Sequence, residues 1–325
     1  MSVTTEPIKT HSKTVAKEPI RAKDDLLTGL EWTPAQLRDF YRLAADVKAD
    51  PDGYRGSLAG QMVVMIFEKP SLRTRVTFET GIASLGGNST FLDHTGARME
   101  EREPIRDIAK NLERWVQGIV ARVFTQESLD ELAANASIPV INALSDKYHP
   151  CQALADFFTL EERFGSVRGL KFAYVGDGNN MCHSLMSTGA RVGAHVRVAT
   201  PAGYEPDAEV VAEAKRVARE TRGKIEIMRS PEDVVAGAQA VYTDVWASMG
   251  QEAESAEREK IFAPYQVNGA LFAHAAADAV FLHCLPAHRG LEVTAGVIDS
   301  PRSIIYDQAE NRLHVQKAIL HALLA

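Results

Sequence analysis

The sequence predicts an α/β protein made of two doubly wound parallel-sheet domains of similar architecture, joined by interdomain helices. Three observations predict it. Apolar runs of strand length alternate with helical apolar stripes through two successive stretches, the pattern of strand–helix–strand units and parallel sheets. A break bounded by Gly165 and Gly169 lies between the stretches and reads as a hinge or loop. The polar residues best suited to chemistry come directly after predicted strands, and open parallel sheets bind ligands beyond the carboxyl ends of their strands. At 325 residues the chain is long for one core and comfortable for two domains. We divide it into a disordered tail at 1–23, a first domain at 24–160 and a second at 161–325.

The tail is rich in Thr and Lys and lacks the apolar core of a signal peptide; a transit peptide is the alternative. Thr33 and Pro34 read as N-cap and first residue of a helix whose stripe is Leu37, Phe40, Tyr41 and Ala44, ending near Ala49. Residues 61–67 form an apolar run read as a buried strand. Val76, Phe78, Ile82, Ala83 and Leu85 then recur at helical spacing until Gly86-Gly87 stops them. A short strand at 89–92 follows, then a mixed-charge stretch at 93–103 read as a mobile loop. A helix at 104–116, a strand at 118–123, a helix near 129–135 and a strand at 139–144 complete the first unit. A long helix at 151–164 leads out of it. The second unit has strands at 170–176, 195–200, 224–228, 240–245 and 279–284, with helices near 182–192, 206–221 and 231–236 between them. A last helix at about 309–325 carries Val315, Ile319, Ala322 and Leu323 on its inner face.

The formal charge of −7, with no strongly basic face in the pattern, excludes nucleic acid as the main partner. Cys151, Cys182 and Cys284 are far apart and form no paired framework, so they read as reduced thiols of a cytoplasmic protein. No apolar run reaches membrane-spanning length. His and Cys at 149–151 and 283–284 match no usual zinc spacing, so no metal is expected. Where the strand at 61–67 gives way to a helix, the chain reads Ser71-Leu72-Arg73-Thr74-Arg75. Free N–H groups, hydroxyls and guanidinium groups there make an anion site, best suited to phosphate. Arg73 and Arg75 point to different sides of a helix, so Arg73 is assigned to ligand and Arg75 to a structural or interface pair.

The segments SLRTR at 71–75, HPCQALAD at 149–156, GDGNN at 176–180, DVWASMG at 244–250 and HCLPAHRG at 283–290 stand in the order and approximate spacing of the transcarbamylases. The chain resembles the ornithine-using members of that family from about residue 26 onward, the SMG triplet separating them from the aspartate-using relatives. The resemblance implies a first domain for carbamoyl phosphate and a second for ornithine, with the last helix packing back on the first. It implies that Ser71, Leu72 through its main chain, Arg73, Thr74 and Arg312 hold the phosphate. Arg122, His149 and Gln152 would hold the carbonyl and carbamoyl nitrogen, with Cys284 and Leu285 beside them. Asn180, Asp244, Ser248 and Met249 would bind ornithine, with Asp244 and Cys284 around the δ-amine. Catalysis would fall to Arg122, His149, Asp244 and Cys284, with no cofactor. His283 is read as structural.

The resemblance further implies a homotrimer or a multiple of it, and a place in amino-acid metabolism in or beside arginine biosynthesis. In relatives a neighbouring subunit presents a loop residue to the first substrate; Arg98 or Arg102 in 93–103 would serve. Leu72 departs from the family's Ser-Thr-Arg-Thr-Arg turn, losing a hydroxyl donor but keeping the N–H, and resembles relatives that carbamoylate N-acylated ornithine; the Asp-x-x-x-Ser-Met-Gly pattern favours free ornithine, with acylated ornithine or putrescine as the alternative acceptor. Two other classes are weighed: a non-catalytic binding homologue, opposed by the retained polar residues, and a dinucleotide-dependent dehydrogenase, suggested by Gly176-x-Gly178. Against the latter, Met181 stands where a third glycine belongs, and Thr200-Pro201-Ala202 stands where an acidic ribose partner is expected.

Overall fold

The computed structural model describes Ile20, residues 24–247 and residues 254–325; the tail expected at 1–23 otherwise lies outside the described residues. The first unit runs α1 (Pro34–Ala49), β1 (Met62–Phe67), α2 (Leu72–Ser84), β2 (Asn88–Asp93), α3 (Ile105–Trp115), β3 (Gly118–Arg122), α4 (Gln126–Asn135), β4 (Val140–Leu144) and α5 (Pro150–Phe164). Its strands form a parallel sheet in the order β2-β1-β3-β4. The second unit runs β5 (Lys171–Val175), α6 (Asn180–Val192), β6 (His195–Ala199), α7 (Ala208–Thr221), β7 (Lys224–Met228), α8 (Pro231–Val235), β8 (Ala240–Tyr242), α9 (Ser255–Phe262), α10 (Gly269–Phe272), β9 (Val280–Leu282), α11 (Ala295–Ile298) and α12 (Ile305–Leu324). Its sheet is also parallel, in the order β7-β6-β5-β8-β9.

Both sheets are covered on both faces, which is why their central strands read as unbroken apolar runs. In β1, Val63, Met65 and Phe67 join the core that holds Phe78 and Ile82, while Val64 and Ile66 join the opposite one with Ile105 and Ala109. In β5, Phe172 and Tyr174 face one core and Ala173 and Val175 the other. One apolar core is continuous between the two sheets through α5, α6 and α12. The last helix packs on α1, α2 and α5, so it belongs physically to the first unit although it follows the second. Helix α1 starts with the anticipated cap: Thr33 Oγ1 accepts from the Gln36 N–H at 3.2 Å and Gln36 Oε1 accepts from the Thr33 N–H at 2.9 Å.

The structure differs from expectation at four places. Helix α12 begins at Ile305 rather than near 309, because its first turns bury Gln308 and Asn311 through hydrogen bonds instead of apolar contacts; Ala322, placed on its inner face, is only half-buried. Residues 93–103 are pinned, with a 3-10 turn at Met99–Glu101 and Met99 buried. The buried Glu68 carboxylate accepts from the N–H groups of Met99 and Phe124, both at 2.7 Å. The short helices α9, α10 and α11 have too few turns for a periodic stripe. Strands β8 and β9 end earlier than predicted, at Tyr242 and Leu282, which frees 243–245 and 283–285 from the ladder. No helix among the described residues is long and apolar enough to cross a membrane.

Candidate active site

Each sheet has one point where the strand order reverses, and the loops leaving it diverge to open a crevice. In the first sheet it lies between β1 and β3, where Phe67 stands opposite Arg122. In the second it lies between β5 and β8, with Tyr174 opposite Tyr242. Arg122 is the last residue of β3, and the segments after the other three strands carry Ser71–Thr74, Asp177–Asn180 and Asp244.

On the first side, Ser71 caps α2, its Oγ accepting from the Thr74 N–H at 3.3 Å. Thr74 is buried, and its Oγ1 accepts from Arg312 Nη2 at 3.0 Å. Arg312, buried on α12, also donates through Nη1 to Gln152 Oε1 on α5. The last helix therefore joins the turn after β1 to the helix after β4. Arg122 is buried, and burial followed by the Arg312 charge lowers its guanidinium to about 9. Burial lowers Arg73 and Arg312 as well. His149, the N-cap residue of α5, is pushed well below the usual imidazole range by burial and by Arg312 and Arg122, so at neutral pH it is an uncharged ring. The Nε atoms of Arg122 and Arg312 and Nδ1 of His149 are buried without a protein partner. Three guanidinium groups that disfavour one another, with buried donors to spare, make a receptor for a compact anion.

Leu72 is the first residue of α2 and its side chain is 75% exposed. It lines a groove with Phe67, Pro70, Val76 and Phe91; only its main chain belongs to the anion turn. Arg75 points away from the cluster, donating to Glu79 at 3.1 Å and stacking on Phe91 with its guanidinium carbon 3.6 Å from the ring centre, the structural role assigned to it.

On the second side, the Asp244 carboxylate is fully engaged. Its Oδ2 accepts from Asn179 Nδ2 at 3.0 Å, and its Oδ1 accepts from the Cys284 thiol at 3.0 Å and from the Val245 N–H at 2.8 Å. Burial and then the Asp244 charge push the Cys284 thiol well above its ordinary value, so it is a neutral thiol rather than a thiolate nucleophile. Asn180 turns elsewhere, donating to the Ser145 carbonyl at 2.6 Å. Ser248 and Met249 lie outside the described residues. His283 is buried; its Nδ1 accepts from the Leu285 N–H at 2.8 Å and its Nε2 lies 3.3 Å from the buried Glu292. Leu285 itself has φ +59°. Ligand atoms of Asp244, His283 and Cys284 lie within 4.8 Å of one another, a grouping the one-dimensional spacing did not suggest. The hydrogen bonds above already engage the His283 ring, the thiol and the carboxylate.

Gly178 has a local reason unrelated to dinucleotides. A Cβ there would meet Pro206 N at 2.2 Å and the Tyr204 carbonyl at 2.6 Å, so glycine permits the 204–206 backbone to cross the turn after β5.

Sequence reasoning missed three residues that hold this site together. Asn179, not singled out beside Asn180, caps α6 and reaches Asp244. Asp156 and Gln308 form a buried polar link behind Gln152. Asp156 stood inside the segment HPCQALAD; Gln308 carried no signal.

Comparison with known proteins agrees with this architecture. Residues 24–162 match the carbamoyl-P binding domain of aspartate/ornithine carbamoyltransferase, and residues 168–323 match the Asp/Orn binding domain. An ornithine carbamoyltransferase of Halalkalibacterium halodurans is 52% identical over 305 residues, covering 92% of this chain and 95% of that protein. The anabolic ornithine carbamoyltransferase of Pyrococcus furiosus is 54% identical over 263 residues, covering 81% and 84%. The solved ornithine carbamoyltransferase structure from Pyrococcus furiosus superposes with a TM-score of 0.90 at 49% identity, covering 93% of this chain and 97% of that one. That from Thermus thermophilus superposes at 0.84, with 46% identity, covering 93% and 99%. A dehydrogenase reading falls with these matches: the chain belongs to the aspartate/ornithine carbamoyltransferase family.

Proposed function

We propose that the protein transfers the carbamoyl group of carbamoyl phosphate to the δ-amine of L-ornithine, giving L-citrulline and phosphate. The observation that carries this reading is the pairing of an arginine cluster at one switch point with an Asp–Cys pair at the other. Ser71, Thr74, the N–H groups at the start of α2, Arg73 and Arg312 hold the phosphate. Arg122 and neutral His149 donate to the carbonyl oxygen as it gains charge in the tetrahedral transition state, and the arginines stabilise the departing phosphate. Gln152 and the Leu285 segment orient the carbamoyl nitrogen.

Ser248 and Met249, joined by Asn180 once its amide leaves the Ser145 carbonyl, bind the α-amino and α-carboxylate ends of ornithine. Asp244 attracts the δ-ammonium, whose lone pair becomes available only on deprotonation, and Cys284 packs beside it. Because the thiol stays neutral, no covalent carbamoyl–enzyme step is assigned to it; the amine attacks directly once both substrates are aligned. Closure of the two units around ornithine excludes water, and α12, which holds Arg312 at the first-substrate side and Gln308 against the His283 backbone, couples closure to binding.

The homologues' names support free ornithine over acylated ornithine or putrescine, and the anabolic name of the Pyrococcus furiosus relative supports the biosynthetic direction. The working assembly is a homotrimer or a multiple of it in the cytoplasm, with Arg98 or Arg102 reaching a neighbour's site; both arginines are exposed. The test is product formation from carbamoyl phosphate with ornithine, N-acetylornithine, putrescine and aspartate. Citrulline from ornithine at the highest kcat/KM is expected, and preference for another acceptor would refute the assignment. Light scattering tests the assembly: full activity in a monomer contradicts it.

A further inference from the structure

Asp156 lies one turn after Gln152 on α5 and is completely buried, at 0% exposure. Its Oδ1 accepts from two side-chain amides, Gln152 Nε2 and Gln308 Nε2, each at 2.7 Å. Its Oδ2 is buried without a protein partner. A carboxylate oxygen here only accepts and a guanidinium only donates. Gln152 sits between one of each: its NH2 faces Asp156 and its oxygen takes the Arg312 N–H. The chemistry of the two neighbours therefore decides which way the amide faces. Gln308 extends the link, because its oxygen accepts from the His283 N–H at 3.0 Å, directly before Cys284.

We propose that Asp156 is a positioning residue that makes the first-substrate site selective for a carbamoyl group: by holding the Gln152 NH2 it presents the Gln152 oxygen, a pure acceptor, to the N–H bonds of the carbamoyl nitrogen. The inference rests on the reading of this site as the carbamoyl phosphate site. With the amide reversed, donor would meet donor. An acyl phosphate of the same shape with a methyl group in place of the amine has no N–H for this oxygen, which then keeps the Arg312 N–H but loses its second donor to an apolar contact. Burial raises the Asp156 carboxyl to about 7, with the amides of Gln152 and Gln308 opposing the rise. A proton carried on Oδ2 leaves Oδ1 an acceptor, so the arrangement holds in either protonation state.

The experiment compares Kd values for carbamoyl phosphate, acetyl phosphate and inorganic phosphate in the wild type, Asp156→Asn and Asp156→Leu, with circular dichroism to verify folding. The wild type should prefer carbamoyl over acetyl phosphate by at least about tenfold. Asp156→Asn, whose amide oxygen can replace Oδ1, should keep most of that preference. Asp156→Leu should bring the ratio to within about threefold of unity while the Kd for inorganic phosphate, which lacks an acyl group, changes by less than about threefold. A folded Asp156→Leu that keeps the wild-type ratio, or that weakens all three ligands alike, overturns the proposal. So does equal loss in the Asn and Leu variants, which would make charge rather than amide orientation the cause.

Should Asp156→Leu fail to fold, Gln308→Leu carries the test. It removes one of the two amides that fix Asp156 Oδ1, so the carboxylate is free to turn and the Gln152 amide loses its fixed orientation; the ratio should fall at least about threefold, and an unchanged ratio refutes the proposal. Failure of the functional reading shows separately, as a wild type that forms no citrulline. An active wild type whose ratio ignores Asp156 sinks the inference alone.

Discussion

Replacing Arg122 by methionine should stabilise the protein while abolishing its activity. The Arg122 side chain is buried, its Nε has no protein partner, and its guanidinium is lowered from the usual arginine range to about 9, first by burial and then by the Arg312 charge. Each unit corresponds to about 1.4 kcal/mol, so the cost of keeping this charge in the folded state is of order 5 kcal/mol. Methionine retains much of the alkyl packing, and local relaxation already recovers part of the cost, so the expected net gain is about 1–3 kcal/mol. Such a gain raises Tm by at least about 2 °C for domains of this size.

The sign with pH follows from the same numbers. A base lowered in the folded state is protonated in both states at pH 7, so its full penalty stands at neutral pH. It is relieved only as pH rises through about 9 toward the usual arginine range. The assay is scanning calorimetry at pH 7 in a buffer poor in multivalent anions, with and without inorganic phosphate. Ligand at a hundred times its Kd stabilises the wild type by about 2.7 kcal/mol, and that increment should fall by more than half in Arg122→Met. A Tm that drops in the ligand-free variant while the phosphate increment survives would refute the assignment of Arg122 as an unpaired charge held for an anion.

The raised Cys284 thiol should alkylate slowly with iodoacetamide at pH 8, and Asp244→Asn should accelerate it at least about threefold by removing the adjacent charge; Cys151 and Cys182 are buried and should contribute little. An unchanged rate would contradict the Asp244–Cys284 contact. His149 is held neutral below the usual imidazole range, so its contribution to stability is present above pH 6.5 and is lost as pH falls and the unfolded chain takes up the proton. His149→Asn should therefore flatten the loss of stability in urea titrations between about pH 6.5 and 5, and an equal slope in both proteins would count against a neutral ring. Leu72→Thr alters an exposed side chain and leaves the N–H in place, so Kd for carbamoyl phosphate should be equal or tighter; clear weakening would show that the turn uses the leucine itself.

Strand and helix identity in both sheets was legible because each central strand is buried on both faces and each covering helix on one, so apolar periodicity carried the signal. The site was legible as far as it depends on strand ends: Ser71, Arg122 and Asp244 stand where the two topologies open. What depends on helix phase was not. Asn179 and Asn180 differ by one residue, yet one is the cap and the other the first helical position of α6, and about 100° of rotation per residue sends their amides to different partners. Gln308, Asp156 and Asn311 were also hidden, since polar residues buried by pairing with one another look, in one dimension, like a solvated face. That is the reason α12 was expected to start four residues late.

The anion cluster takes Ser71 and Arg73 from the turn after β1, Arg122 from β3, Gln152 from α5 and Arg312 from α12, after every strand of both sheets has been made. A ribosome delivers these groups in that order. The ligand site of the first unit is not complete until α12 emerges and docks on α1, α2 and α5. Substrate and phosphate therefore meet the Arg312 part of their site only in the finished chain. The stabilisation that runs through Arg312 arrives only after the second unit has been translated.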